Sequence, residues 1–147
     1  MAIDNVGRVL AIDYGQKRTG VAVTDVLRIS ANPLATIDTA TLMDWLKEYL
    51  SRGEVDIVVI GCPRRLNGEN SDSMLYILPF VEEFRRTFTN IPLVEYDERF
   101  TSTLAHRAMI DGGMSKKKRM DKTVVDKIAA TIILEDYLES TRYREHI

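Results

Sequence analysis

The amino-acid sequence predicts an α/β fold: a mixed five-stranded sheet, its first three strands antiparallel, flanked by helices. Three observations predict it. Three short β-type runs come first, joined by brief polar links. The hydrophobic period then changes from two to 3.6. From there strand-like and helix-like segments alternate, which requires right-handed crossovers and parallel neighbours. The 147 residues fit one domain, 1–147, and at 45% hydrophobic they can build a packed core.

Arg8 to Asp13 is the first β run, and Thr19 to Asp25 the second, with alternation on Val21 and Val23. Their link, YGQKR, is short and holds Gly15, so a hairpin is the economical connection. Pro33 to Ile37 makes a third strand. Leu42, Trp45, Leu46, Tyr49 and Leu50 fall at helical spacing, and Gly53 ends that helix. Val55 to Ile60 is nearly continuous in apolar residues, as a central strand buried on both faces would be. A polar loop follows, GCPRRLNGENSD. Ser73 is a candidate cap for a helix carrying Met74, Ile77, Leu78, Val81, Phe84 and Phe88, with Pro79 tolerable early in it or marking a later start. Ile91 to Tyr96 is the fifth strand. A helix opens at Thr101 or Ser102 and ends at Gly112-Gly113, the basic loop MSKKKRMDK follows, and Thr123 to Glu139 is the final helix. Trp45, Tyr49, Phe84 and Phe88 read as core rather than as base-stacking platforms.

Composition narrows the function. Net charge is −2, so the chain is no polybasic nucleic-acid binder overall, although a local basic patch remains compatible. The single cysteine, Cys62, excludes an internal disulfide and a cysteine metal cluster, and reads as a small buried residue. No stretch approaches the roughly 18 apolar residues of a membrane span. The start, MAIDNVGR, lacks the regions of a signal peptide, so a cytoplasmic protein with no membrane partner is expected. His106 and His146 form no catalytic set with Cys62 or with any serine.

The acids at element ends carry the chemistry. Asp13 closes the first strand, Asp97 and Glu98 follow the last, and Asp126 sits in an otherwise apolar helix beside Ala129, Ala130 and Ile133. Each has an ordinary alternative: Asp13 as a turn former, Asp97 and Glu98 as complements to a helix N-terminus, Asp126 as a helix-edge acid paired with Lys122. Together they say more. Sites in α/β sheets form outside strand ends. If strands one and five are adjacent, their carboxylates meet, and a helix packed on the sheet delivers Asp126 to the same place. Clustered carboxylates need cations, and hard oxygen ligands suit Mg²⁺ or Mn²⁺, one ion or two, in phosphodiester hydrolysis.

Four segments, AIDYGQKRTGVAVTD (11–25), IGCPRRLNGE (60–69), YDERFTSTLA (96–105) and KTVVDKIAATIILEDYL (122–138), resemble the YqgF family, also called RuvX, of Holliday junction resolvases, within the group of ribonuclease H-like folds. The resemblance spans nearly the whole chain. It implies that Asp13, Glu98 and Asp126 are catalytic metal ligands. Related resolvases use four acids, and Asp97 stands as the fourth or as a substitute for Glu98. It also implies a nuclease acting on branched DNA or on precursor 16S ribosomal RNA at its 5′ end, with pre-ribosomal particles as further partners. Two symmetric cuts in a junction favour a homodimer; a precursor-RNA substrate is compatible with a monomer.

The cations fit such a substrate. Lys17 and Arg18 lie beside Asp13, either contacting phosphates or holding the acids in place. Arg64, Arg65, Arg99, Lys116, Lys117, Lys118 and Arg119 can bind the phosphate chain; the 116–119 run also reads as a solvated loop. Gly15 permits a positive φ or the approach of a phosphate, and Gly20 spares a clash in the second strand. Two other functions compete. A non-catalytic nucleic-acid or ribosome-binding module would keep the cations without needing all three acids. An actin-like ATPase would use DYGQKRTG as a phosphate turn, but the chain is short for two such lobes.

Overall fold

The computed structural model describes residues 7–63, 72–97 and 122–145. The elements in order are β1 (Arg8–Asp13), β2 (Arg18–Thr24), β3 (Ala31–Asp38), a 3₁₀ turn (Thr39–Thr41), α1 (Leu42–Leu50), β4 (Val55–Cys62), α2 (Met74–Thr87), β5 (Leu93–Asp97) and α3 (Lys122–Glu145). The helix expected from Thr101 or Ser102, the greater part of the loop at 61–72, and the basic loop lie outside the described residues.

The five strands form one sheet in the order β3-β2-β1-β4-β5. β1–β2 and β2–β3 are antiparallel, while β1–β4 and β4–β5 are parallel. The expected mixed sheet is therefore observed, with one refinement. β4 lies between β1 and β5, so their terminal acids are not cross-strand neighbours.

Burial on both faces explains the unbroken apolar runs of β1 and β4. Val9, Leu10, Ala11 and Ile12 are all fully buried, and alternation sends them to opposite sides. Leu10 and Ile12 join Leu42, Leu46, Ile77 and Phe84 beneath α1 and α2. Val9 and Ala11 join Ala22, Val59, Ala130, Ile133 and Leu134 beneath α3. Each fully buried aliphatic contributes about 1.5–3 kcal/mol. The aromatic residues behave as expected: Phe84 is buried, and Trp45, Tyr49 and Phe88 pack against the same core.

Local signals decide the helix ends. Gly53 adopts φ +73° after α1, and its N–H donates to the Leu50 carbonyl at 3.2 Å. Ser73 does not cap α2 through its side chain; it is already helical in φ and ψ, and its Oγ pairs with the Tyr76 hydroxyl at 3.2 Å. α2 starts at Met74 and runs through Pro79. The carbonyl that Pro79 cannot bond belongs to Leu75, on an exposed turn where water can satisfy it.

The decisive approach is α3 against β2. A Cβ on Gly20 would overlap the carbonyl oxygen of Asp126. Only glycine lets the helix backbone lie on the strand at that point. Thr36, the β3 partner of Gly20, fastens the same turn by donating from Oγ1 to the Thr123 carbonyl at 2.6 Å. Gly20→Ala is expected to destabilise the protein by about 1–3 kcal/mol through overpacking. Urea denaturation with an unchanged slope is the check.

Candidate active site

Strand register assembles the site. Asp13 pairs with Gly20, and Gly20 pairs with Thr36, making one row across β1, β2 and β3. Asp13 shares its face with Val9 and Ala11; Arg18 shares it with Ala22. α3 crosses this row at Asp126. Asp13 and Arg18, from neighbouring strands, thus gather with the distant Asp126 where β1 ends and α3 begins.

The helix packs by an alanine and aliphatic face. Ala129, Ala130, Ile133 and Leu134 are buried, while Asp126, one turn earlier, keeps its side chain 25% exposed. The Arg18 Nε donates to Asp126 Oδ2 at 3.3 Å. Asp126 therefore has a partner from across the fold, not merely a helix neighbour. Such a partly exposed pair is worth at most about 1 kcal/mol.

Asp13 is different. It is half-buried, and among the described residues its carboxylate has neither an ion pair nor a hydrogen bond. Burial, and then the Asp126 carboxylate, push its pKa up from the ordinary 3.8 to about 7. Two carboxylates thus repel each other, and only one of them, Asp126, is seen paired with a guanidinium among the described residues. That donor set, oxygen-only and short of positive charge, fits a hard divalent cation.

The remaining predicted residues divide. Glu98, Arg64, Arg65, Arg99, Lys116, Lys117, Lys118 and Arg119 lie outside the described residues. Asp97 is exposed at the end of β5, opposite Cys62 of β4. Alternation places it with Leu93, on the α1–α2 side of the sheet, whereas Asp13 belongs to the α3 side. Among the described residues no third acid, histidine or cysteine joins the pair in a metal-holding group. Lys17 is an exposed turn residue whose carbonyl accepts from the Thr39 N–H at 3.0 Å. Cys62 is buried, as expected.

Thr19 and Thr39 are positioning residues that no sequence pattern singled out. The Thr39 hydroxyl donates to the Gly15 carbonyl at 2.6 Å, so Thr19 Oγ1 must donate to Thr39 at 2.9 Å. Together with the bond to Lys17, this clamps the turn between Asp13 and Arg18. Gly15 does not adopt a positive φ. It is needed because a Cβ there would overlap the Arg18 carbonyl oxygen.

Comparison with known proteins identifies the family and the fold. The family described as "RuvX: Holliday junction resolvase" matches residues 7–140. A protein of Parabacteroides distasonis named "Putative pre-16S rRNA nuclease" is 50% identical over 139 residues, covering 95% of this chain and 99% of that one. One of the same name from Phocaeicola vulgatus is 51% identical over 138 residues, covering 94% and 99%. The solved structure of Thermus thermophilus RuvC in complex with a Holliday junction substrate superposes with a TM-score of 0.57 at 16% identity, covering 92% of this chain and 96% of that chain. The shared fold is the ribonuclease H-like one.

The raised pKa of Asp13 has a definite sign. Its proton favours the folded state, so this contribution is fully present below about pH 3.8 and is lost as pH rises toward 7. In metal-free protein, Asp13→Asn should scarcely change the thermal midpoint near pH 4 and should raise it increasingly up to pH 8. Melting curves in chelator across that range test this.

Proposed function

The chain belongs to the RuvX family, and on that premise we propose that it is a metal-dependent nuclease hydrolysing phosphodiester bonds of structured nucleic acid, with precursor 16S rRNA or a branched DNA junction as substrate. The observation that carries this reading is the half-buried Asp13 carboxylate, unpaired among the described residues and raised in pKa by burial and by Asp126, at a strand end. A structural acid would have a partner. Asp25, which also ends a strand run, accepts from the Ile29 and Ser30 N–H groups at 2.7 and 2.9 Å. Asp13 when ionised carries an electrostatic cost that a bound cation would relieve.

Asp13 and Asp126 are the proposed ligands from β1 and α3, with Glu98, which follows β5, as the third by family resemblance. A bound Mg²⁺ or Mn²⁺ would supply Lewis-acid activation of water and charge stabilisation at the leaving oxygen. The chain's own groups do the rest. β1 holds Asp13 rigid through four buried neighbours. The Thr19–Thr39–Gly15 clamp fixes the turn that carries Arg18. Lys17 and Arg18, with Arg64, Arg65, Arg99 and Lys116, Lys117, Lys118 and Arg119, would hold the phosphate chain in a salt-dependent, sequence-neutral way.

The test is cleavage of a labelled four-way junction and of a precursor 16S RNA 5′ leader with Mg²⁺ or Mn²⁺. Asp13→Asn should reduce cleavage by about a hundredfold or more, the scale on which removal of a single electrostatic stabiliser acts. The substrate cut by the wild type decides the biological role. Binding of both without cleavage would instead identify a non-catalytic module.

A further inference from the structure

The acid pair already has a cation, and the details of its attachment are informative. Arg18 reaches Asp126 through Nε alone, at 3.3 Å. Its terminal Nη groups make no hydrogen bond among the described residues and are open to solvent. A structural arginine on a carboxylate ordinarily uses its fork, in a bidentate pair. Here, among the described residues, the fork is unused and Asp13 has no counter-charge, while the Arg18 side chain is 34% exposed. The arrangement is a one-point, weakly held pair at the place where a divalent ion would bind.

We propose that Arg18 is an exchangeable placeholder cation: it neutralises Asp126 in the metal-free protein, is displaced when a divalent ion takes that carboxylate, and then offers its free fork to a phosphate of the bound nucleic acid. This rests on the nuclease reading above. Two cations on one carboxylate oxygen repel in a partly buried site, and the flexible side chain yields more readily than a fixed strand or helix. The Arg18 backbone stays clamped beside Asp13 by the hydrogen bonds of Thr39 to Gly15 and Lys17. The released head therefore remains within reach of any phosphate that the metal holds. The opposing account makes Arg18 a permanent positioning group that keeps Asp126 aimed at the metal.

The two accounts predict opposite signs. Mn²⁺ affinity is measured by calorimetry without nucleic acid, for wild type and Arg18→Gln. A placeholder predicts tighter binding in the variant, by about threefold or more, the scale of a partly exposed ion pair. Equal or weaker binding in the variant overturns the proposal and leaves the nuclease reading intact. A wild type that binds no Mn²⁺ overturns both. If Arg18→Gln fails to fold, the wild type still decides. On saturation with Mg²⁺ the Arg18 Nε–H resonance should lose its protection from solvent exchange, and an unchanged resonance overturns the displacement. Affinity for the RNA leader tests the transfer: Arg18→Gln should weaken it with Ca²⁺ present and leave it unchanged in chelator. An equal effect in both conditions, or none in either, overturns that step.

Discussion

A helix backbone lies directly on a strand at Gly20, and the site follows from that contact. Interposed side chains normally hold a helix backbone away from the strand it covers. At Gly20 there is no side chain to stand in the way, and the Asp126 carbonyl occupies the space a Cβ would need. Thr36 on the next strand grips Thr123 in the same turn. The row Asp13–Gly20–Thr36 is thus a seat for the first turn of α3, and the burial of Ala130, Ile133 and Leu134 presses the helix into it.

That seat forces like charges together, and the fold keeps the conflict instead of resolving it. Core strands hold Asp13 in place, since its neighbours back to Val9 are fully buried on both faces. α3 holds Asp126. Neither can retreat, so Asp13 responds by holding its proton more tightly. Such retained electrostatic strain marks sites where charge is to be bound. The same rigidity extends to the turn: Gly15 and two buried or half-buried threonine hydroxyls fix the path from Asp13 to Arg18, and a mobile hairpin there would spread the acids apart.

Two aspartates that look alike in sequence show what environment does. Asp13 and Asp25 each end an apolar β run. Asp25 lies at the opposite end of the β1–β2 pair, in an exposed loop, where backbone N–H groups of Ser30 and Ile29 hold its pKa below the usual carboxylate value. Asp13 is raised instead. One carboxylate orders a loop, and the other lies against a second acid. The difference is not plain in the local sequence, since both follow apolar β runs and precede turn residues.

The sequence by itself determined the strands, their antiparallel beginning, the helices α1 and α3, and the candidate acids Asp13 and Asp126, because hydrophobic period and turn residues are local signals written into consecutive positions. Its expectation for Gly20, a spared clash, was also right in kind. Tertiary structure alone decided the rest. β4 separates β1 from β5, and Asp97 falls on the face away from Asp13, because strand order and pleat parity depend on pairing between distant segments. Asp126 is joined by Arg18, 108 residues away in sequence, and Gly15 serves a carbonyl contact, not a positive φ. The threonine clamp carried no sequence signature, since threonines in a polar stretch are common and only the folded turn brings their hydroxyls within hydrogen-bonding range. Local chemistry chooses the elements; which charges meet is settled by how those elements pack.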